Sequence, residues 1–187
     1  MLGADDPLPL RPRRILVAGV SGSGKTTLAG RIADAVGSPH TEIDALFHGP
    51  DWTPRPEFLD DVAALIAQPA WVTEWQYTAV RAVLAAEAEL LIWLDLPFRV
   101  TLWRVVRRTV RRSRRREVLW NGNVEPPLHS MLTDRDHIIR WAIRTRRKYP
   151  ALVAQTAAAN PGLVVVRLCS QREVETWLRA LASSASR

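Results

Sequence analysis

The chain has 187 residues, 47% hydrophobic and 24% charged, with 26 Lys and Arg against 19 Asp and Glu and a formal charge of +7. That composition suits one globular domain with a sizeable core, and no apolar run reaches the ~18–20 residues of a membrane span. The single cysteine, Cys169, excludes an internal disulfide and fits a reducing cytoplasm.

Residues 1–12 hold an acidic pair and three prolines without an apolar signal core, which predicts a short disordered tail before one domain over 13–187. Ile15-Leu16-Val17-Ala18 reads as a buried parallel strand, and Lys25–Val36 as a helix with Leu28, Ile32 and Val36 on one face. His40–Ile43 is a second, short strand. A loop rich in Pro, Gly and aromatic residues follows from Asp44 to Pro56, then a helix from about Glu57 to Ala67. Residues 70–74 predict a third strand, Tyr77–Ala88 a helix, and Leu90–Leu94 a fourth strand stopped by Pro97. An arginine-rich helix comes next, then a break at Asn121-Gly122-Asn123 and Pro126-Pro127, and a helix over roughly Thr133–Tyr149. Leu163–Leu168 and Arg172–Leu181 supply the last strand and helix. Strands alternating with helices predict an α/β layer fold around a parallel sheet.

Gly19-Val20-Ser21-Gly22-Ser23-Gly24-Lys25-Thr26 matches G-x-x-x-x-G-K-[ST] between a predicted strand and a predicted helix, the context that gives this pattern its meaning. Glycines let successive main-chain N–H groups point into one anion-sized cavity, and the helix start adds its positive dipole end. Gly19, Ser21, Gly22, Ser23, Gly24, Lys25, Thr26 and Thr27 are therefore the expected phosphate-binding residues. Lys25 is expected at the β- and γ-phosphates and the Thr26 hydroxyl on Mg²⁺. The implied ligand is a nucleoside triphosphate, with ATP and Mg²⁺ as cofactors.

Charge is concentrated. Residues 99–116 hold nine arginines and no acid, and the rest of the chain carries 17 basic and 19 acidic groups. Arg104, Arg107, Arg108, Arg111 and Arg115 fall on one helical face, beside an apolar stripe of Trp103, Val106 and Val110. Arg140, Arg144, Arg147 and Lys148 line a later helix and are placed to clamp from the other side. The four histidines show no metal-ligand spacing. Of the eight tryptophans, Trp71 and Trp93 read as core, while Trp52 and Trp75 are expected in loops at the ligand edge.

Together with Gly19–Thr27, the segments Ile43-Asp44-Ala45-Leu46, Asp51-Trp52-Thr53-Pro54, Leu94-Asp95-Leu96-Pro97 and Leu119-Trp120-Asn121-Gly122-Asn123 make the chain resemble the adenylate-kinase-like P-loop small-molecule kinases. The likeness is closest to the branch labelled topology modulation protein or adenylate-kinase-related protein, and runs from about Arg13 to Leu181. It implies a three-layer sandwich with a five-stranded parallel sheet in the order 2-3-1-4-5, ringed by helices. It also implies an acceptor flap at about 44–58 and an arginine-rich lid at about 104–127. Closure of both would exclude water from phosphoryl transfer. Where relatives often carry Asp-Gly-Asn-Tyr, this chain reads Glu74-Trp75-Gln76-Tyr77.

The resemblance assigns further roles. Asp44, at the carboxyl edge of the sheet, becomes acceptor ligand or general base; a turn-forming aspartate is the alternative. Glu74 becomes a metal-side or orienting carboxylate; Asp95, at the end of the fourth strand, competes for the same role, but the implied strand order puts Glu74 nearer the cradle and leaves Asp95 structural. Arg104 becomes a candidate to stack on adenine and Arg108 a phosphate ligand. The implied activity is transfer of the γ-phosphoryl group of Mg-ATP to a nucleoside monophosphate or a hydroxyl-bearing metabolite. A different class, an ATP-switched nucleic-acid-associated regulator using the arginine helix on a phosphate backbone, is the alternative.

Overall fold

The computed structural model describes residues 1–115, 117–124 and 138–185. Four strands, β1 (Arg14–Gly19), β2 (Trp71–Glu74), β3 (Leu90–Leu94) and β4 (Val164–Leu168), form a parallel sheet in the order β2-β1-β3-β4. Helices α1 (Lys25–Val36) and α8 (Gln171–Ala185) cover one face. On the other lie α3 (Phe58–Ile66), α4 (Arg81–Glu87) and α7 (Tyr149–Ala159). Ile15 and Val17 of β1 enter the α1/α8 core, while Leu16 and Ala18 enter the opposite one; β3 divides Leu90, Ile92 and Leu94 from Leu91 and Trp93 in the same way. Burial on both faces is why these strands read as continuous apolar runs. Each fully buried aliphatic side chain contributes about 1.5–3 kcal/mol.

The remaining helices are α2 (Ile43–Phe47), α5 (Phe98–Arg115) and α6 (Ile138–Thr145). Val105 of α5 packs with Ile139 and Ala142 of α6 in a small separate cluster. Among the described residues no helix is long and apolar enough to cross a membrane.

Several sequence expectations are corrected. The sheet has four strands, not five in the order 2-3-1-4-5: the segment expected as a second strand makes one bridge, His40 to Val72, before Ile43 turns into α2. The helix expected from Tyr77 starts at Arg81, because Tyr77 sits in a left-handed turn at φ 58°. The helix expected over 133–149, whose first residues lie outside those described, ends at Thr145. Pro150, in the first turn of α7, opens a helix not anticipated at all. The expected tail is also paired: Leu2 bridges Val166 on β4, and Ala4 is buried.

One glycine fixes how closely the motif loop meets α5. A Cβ at Gly22 would lie 2.3 Å from the Thr101 carbonyl oxygen and 2.6 Å from Val105 Cγ2, on a backbone with φ 77°. Gly37, which ends α1 with φ 66°, has open space around it. Gly37→Ala is expected to cost about 1–2 kcal/mol, the left-handed penalty alone. Gly22→Ala is expected to cost a further 1–3 kcal/mol, roughly, through overpacking. Urea unfolding of the two variants measures the difference.

Candidate active site

β1 delivers Gly19 to the carboxyl edge of the sheet, where the chain turns back on itself. The Val20 carbonyl accepts from Ser23 N–H at 3.1 Å and from Lys25 Nζ at 3.4 Å. Helix α1 then starts from Gly24, which has no side chain to cap it. Its first N–H groups are left for an outside acceptor, at the positive end of the helix. Ser23 Oγ is buried without a hydrogen-bond partner among the described residues. The eight residues predicted to bind phosphate thus form one cradle, and its open donors suit a polyphosphate.

Two carboxylates face this cradle. Glu74, the last residue of β2, is 1% exposed. Its Oε2 accepts from Ile43 N–H at 3.0 Å, its Oε1 lies 3.2 Å from His40 Nε2, and the nearby Thr26 side chain helps to stabilise its charge. Burial acts to raise the Glu74 pKa, but His40 and the other donors outweigh it and hold the carboxyl below its ordinary range. The bond to Glu74 in turn raises the His40 pKa. Asp44, on α2, accepts at Oδ1 from both Gln76 Nε2 and the Tyr77 hydroxyl, and that hydroxyl lies 3.1 Å from His48 Nε2. Burial lowers the Lys25 pKa; Asp44 and Glu74 oppose that, and nearby Arg108 adds to it. Asp44, Glu74 and Arg108 therefore all lie near enough to Lys25 for their charges to act on it.

The arginine helix forms the other wall. A groove of about 560 Å³ runs between Gly22–Gly24, Thr27 and α5, whose Arg104, Arg107, Arg108 and Arg111 line it together with Gln171 of α8. Arg104 crosses the groove, donating from Nη1 to Ser23 O at 3.4 Å and from Nη2 to Gln171 Oε1 at 3.0 Å. The second basic set, Arg140, Arg144, Arg147 and Lys148, is not among the residues lining it; Arg144 lies over Trp141. Asp95 is paired with Arg167 at 2.5 Å and stands outside the Lys25 cluster. Trp75, expected at the ligand edge, is 1% exposed in the core, with its Nε1 donating to Arg81 O. Cys169 is half-buried, and burial pushes its thiol pKa up.

Sequence reasoning assigned no role to His40, His48, Gln76, Tyr77, Trp120 or Asn123, all of which lie on the side of the cradle that holds Asp44 and Glu74. Phe47 stacks on Tyr77 with centroids 4.0 Å apart, and His48 stacks with Trp120. A local signal exists in the backbone: the described non-glycine residues with positive φ, Asp51, Trp52, Tyr77 and Asn121, all border this region. Strained backbone collects at functional sites because the surrounding structure must hold it there.

The fold is shared with solved structures of small-molecule kinases. A gluconokinase from Sinorhizobium meliloti 1021 aligns with a TM-score of 0.51 and 22% identity over 94% of each chain. A shikimate kinase from Bacteroides thetaiotaomicron aligns with a TM-score of 0.53 and 14% identity, over 94% of this chain and 99% of that one. At these identities the likeness is one of fold. No protein-family model matches the chain, and no curated protein matches it.

The chain has two tyrosines, and both resist ionisation. Burial pushes Tyr149 up to about 12, and burial with Asp44 alongside raises Tyr77. Unfolded tyrosine ionises near pH 10. The stability these phenols contribute is thus full below about pH 10 and is lost as the pH rises toward 12. Tyrosinate absorbance is expected to stay absent at pH 10 in the folded protein and to appear with unfolding; a half-titrated signal at pH 10 would contradict this environment.

Proposed function

We propose that the protein transfers the γ-phosphoryl group of Mg-ATP to a small acceptor held beside Asp44. The observation that carries this reading is the convergence of the cradle lysine with two carboxylates on separate elements and with Arg108 of α5. The finer kinship, with the topology modulation or adenylate-kinase-related branch, rests on the motifs around Asp51–Pro54 and Leu119–Asn123.

In this reading Lys25 and the cradle N–H groups bind the β- and γ-phosphates, and Arg104 lies at the adenine. Arg108 offsets charge on the oxygens of the transferring group. Thr26 and Glu74 present the hard oxygen donors that would hold Mg²⁺, and the ion would supply neutralisation of phosphate charge. Both protein bonds to Asp44 fall on Oδ1, so Oδ2 is the oxygen an acceptor hydroxyl addresses. Asp44 orients that hydroxyl and takes its proton as the new O–P bond forms and ADP departs with the bridging oxygen. Two carboxylates on this side favour a neutral hydroxyl over a phosphate as the attacking group, by like-charge repulsion. Segments 44–58 and 104–127 are the acceptor flap and the lid, the latter partly outside the described residues.

The alternative partner, a nucleic acid, is less well supported. Four arginines of α5 turn into the cradle groove, a place for a single nucleotide and not for a polymer tracking the outer surface.

The test is transfer of labelled γ-phosphate from Mg-ATP to a panel of hydroxylated metabolites and nucleoside monophosphates. A labelled product is expected, absent with Lys25→Ala. Asp44→Asn is expected to lower kcat by about 10²–10⁴-fold with ATP binding retained. ATP binding with no labelled product across the panel would count against the kinase, and salt-sensitive DNA binding in its place would favour the regulator.

A further inference from the structure

Two turns of the same construction face each other across the acceptor side. The first spans residues 49–53 and the second 119–123. Each is a 3-10 turn closed by an antiparallel bridge, His48 to Pro54 in one and Val118 to Val124 in the other. In each the first N–H donates to the last carbonyl at 2.7 Å, Gly49 to Thr53 and Leu119 to Asn123. Each also carries a non-glycine residue in the left-handed region, Asp51 at φ 55° and Asn121 at φ 53°.

The turns are fastened to each other through Asn123, which is 5% exposed. Its Oδ1 accepts from Trp52 N–H at 3.0 Å, and its Nδ2 donates to Gly49 O at 2.8 Å. Asn121 Nδ2 donates to His48 O, Trp52 Nε1 to Val124 O at 3.2 Å, and Trp120 Nε1 to Glu42 Oε2 at 2.9 Å. One side-chain amide thus satisfies a donor and an acceptor of the opposing main chain, an arrangement that fixes register as well as distance.

What each turn is attached to gives the contact its meaning. The first continues from α2, which carries Asp44. The second is tied to the end of α5 by Glu117, which pairs with Arg111 and Arg112 at 3.6 Å each and donates its N–H to Arg112 O. Helix α5 in turn lines the phosphate groove with Arg104, Arg107, Arg108 and Arg111. An unbroken path of helix, ion pairs and hydrogen bonds runs from that groove to the acceptor-side carboxylate.

We propose that Asn123 is a positioning residue that couples occupancy of the phosphate groove to the placement of α2 and Asp44. A nucleotide that holds α5 against the cradle then also holds the 49–53 turn, and by linkage an acceptor seated at Asp44 strengthens nucleotide binding by the same factor. The inference rests on the nucleotide-binding part of the proposed function and needs no knowledge of the acceptor.

Hydrogen exchange read by mass spectrometry, with and without a saturating non-hydrolysable ATP analogue and Mg²⁺, tests it. In the native protein the analogue is expected to slow exchange both in the cradle, residues 20–28, and in the 49–53 turn. In Asn123→Ala the cradle response is expected to persist while the slowing at 49–53 shrinks by roughly fivefold or more, the lower end of ordinary site-to-site coupling. Persistence of the cradle response shows that the variant is folded. If it is not, Asn123→Asp, which keeps an acceptor for Trp52 N–H but sets a carboxylate against Gly49 O, is read in the same way. Equal slowing at 49–53 in native and variant proteins overturns the coupling. So does a native protein whose cradle responds while its 49–53 turn does not. An analogue that protects neither region overturns the nucleotide reading itself, and this inference with it.

Discussion

A strand with both faces buried has nowhere to put a charge except at its end, and this chain's chemistry follows from that constraint. All the strands run parallel, so all their carboxyl ends reach the same edge of the sheet. There β1 opens into the phosphate cradle, β2 ends in Glu74, and β3 is followed by Asp95. Glu74 bears the strictest form of the constraint, being almost wholly out of water. An unpaired carboxylate in that place would be neutralised or would destabilise the fold. His40, from the segment that joins α1 to α2, and Ile43, which opens α2, together with Thr26 of α1 keep it charged. The groups that make the site are therefore also the groups that make the edge of the sheet tolerable.

The arginine helix poses the complementary problem. Neighbouring like charges at i, i+3 and i+4 disfavour a helix by a few tenths of a kcal/mol per pair, and residues 99–116 contain no acid to relieve them. Glu117, just past the helix end, is the nearest acid in sequence and pairs with Arg111 and Arg112. Arg104 uses its guanidinium on a carbonyl and an amide oxygen in place of a carboxylate. A polyanion drawn into the groove would relieve the repulsion and strengthen the helix at once.

Much of this was legible in the residues. The eight-residue cradle pattern carries its own geometry, and Leu90–Leu94 is a strand by composition alone. Lys25 and Thr26 open α1, Glu74 ends β2 and Arg108 stands on α5, as expected, but Asp44 sits in the short helix α2 and not at the end of a strand. What could not be read lies in contacts between distant segments. Gln76 and Tyr77 reach Asp44 across more than thirty residues, and Asn123 reaches Gly49 across seventy-four. Side-chain amides and phenols look the same in sequence whether they face water or a carboxylate. Helix α7 was missed for a different reason: a proline that can break a helix can equally occupy the first turn of the next. Trp75 misled because its loop position hid that its ring turns inward.

The pairing of Leu2 with β4 has a consequence beyond packing. An exposed edge strand offers its unpaired N–H and C=O groups to any extended chain. Here Leu2 takes the Val165 carbonyl and the Arg167 N–H on one edge, while Pro39 and Thr41 take the N–H and carbonyl of Val72 on the other. Both margins of a narrow sheet are thereby occupied by single short segments of the same chain. Growth of the sheet by a strand from a second molecule is blocked at either side until one of those segments peels away.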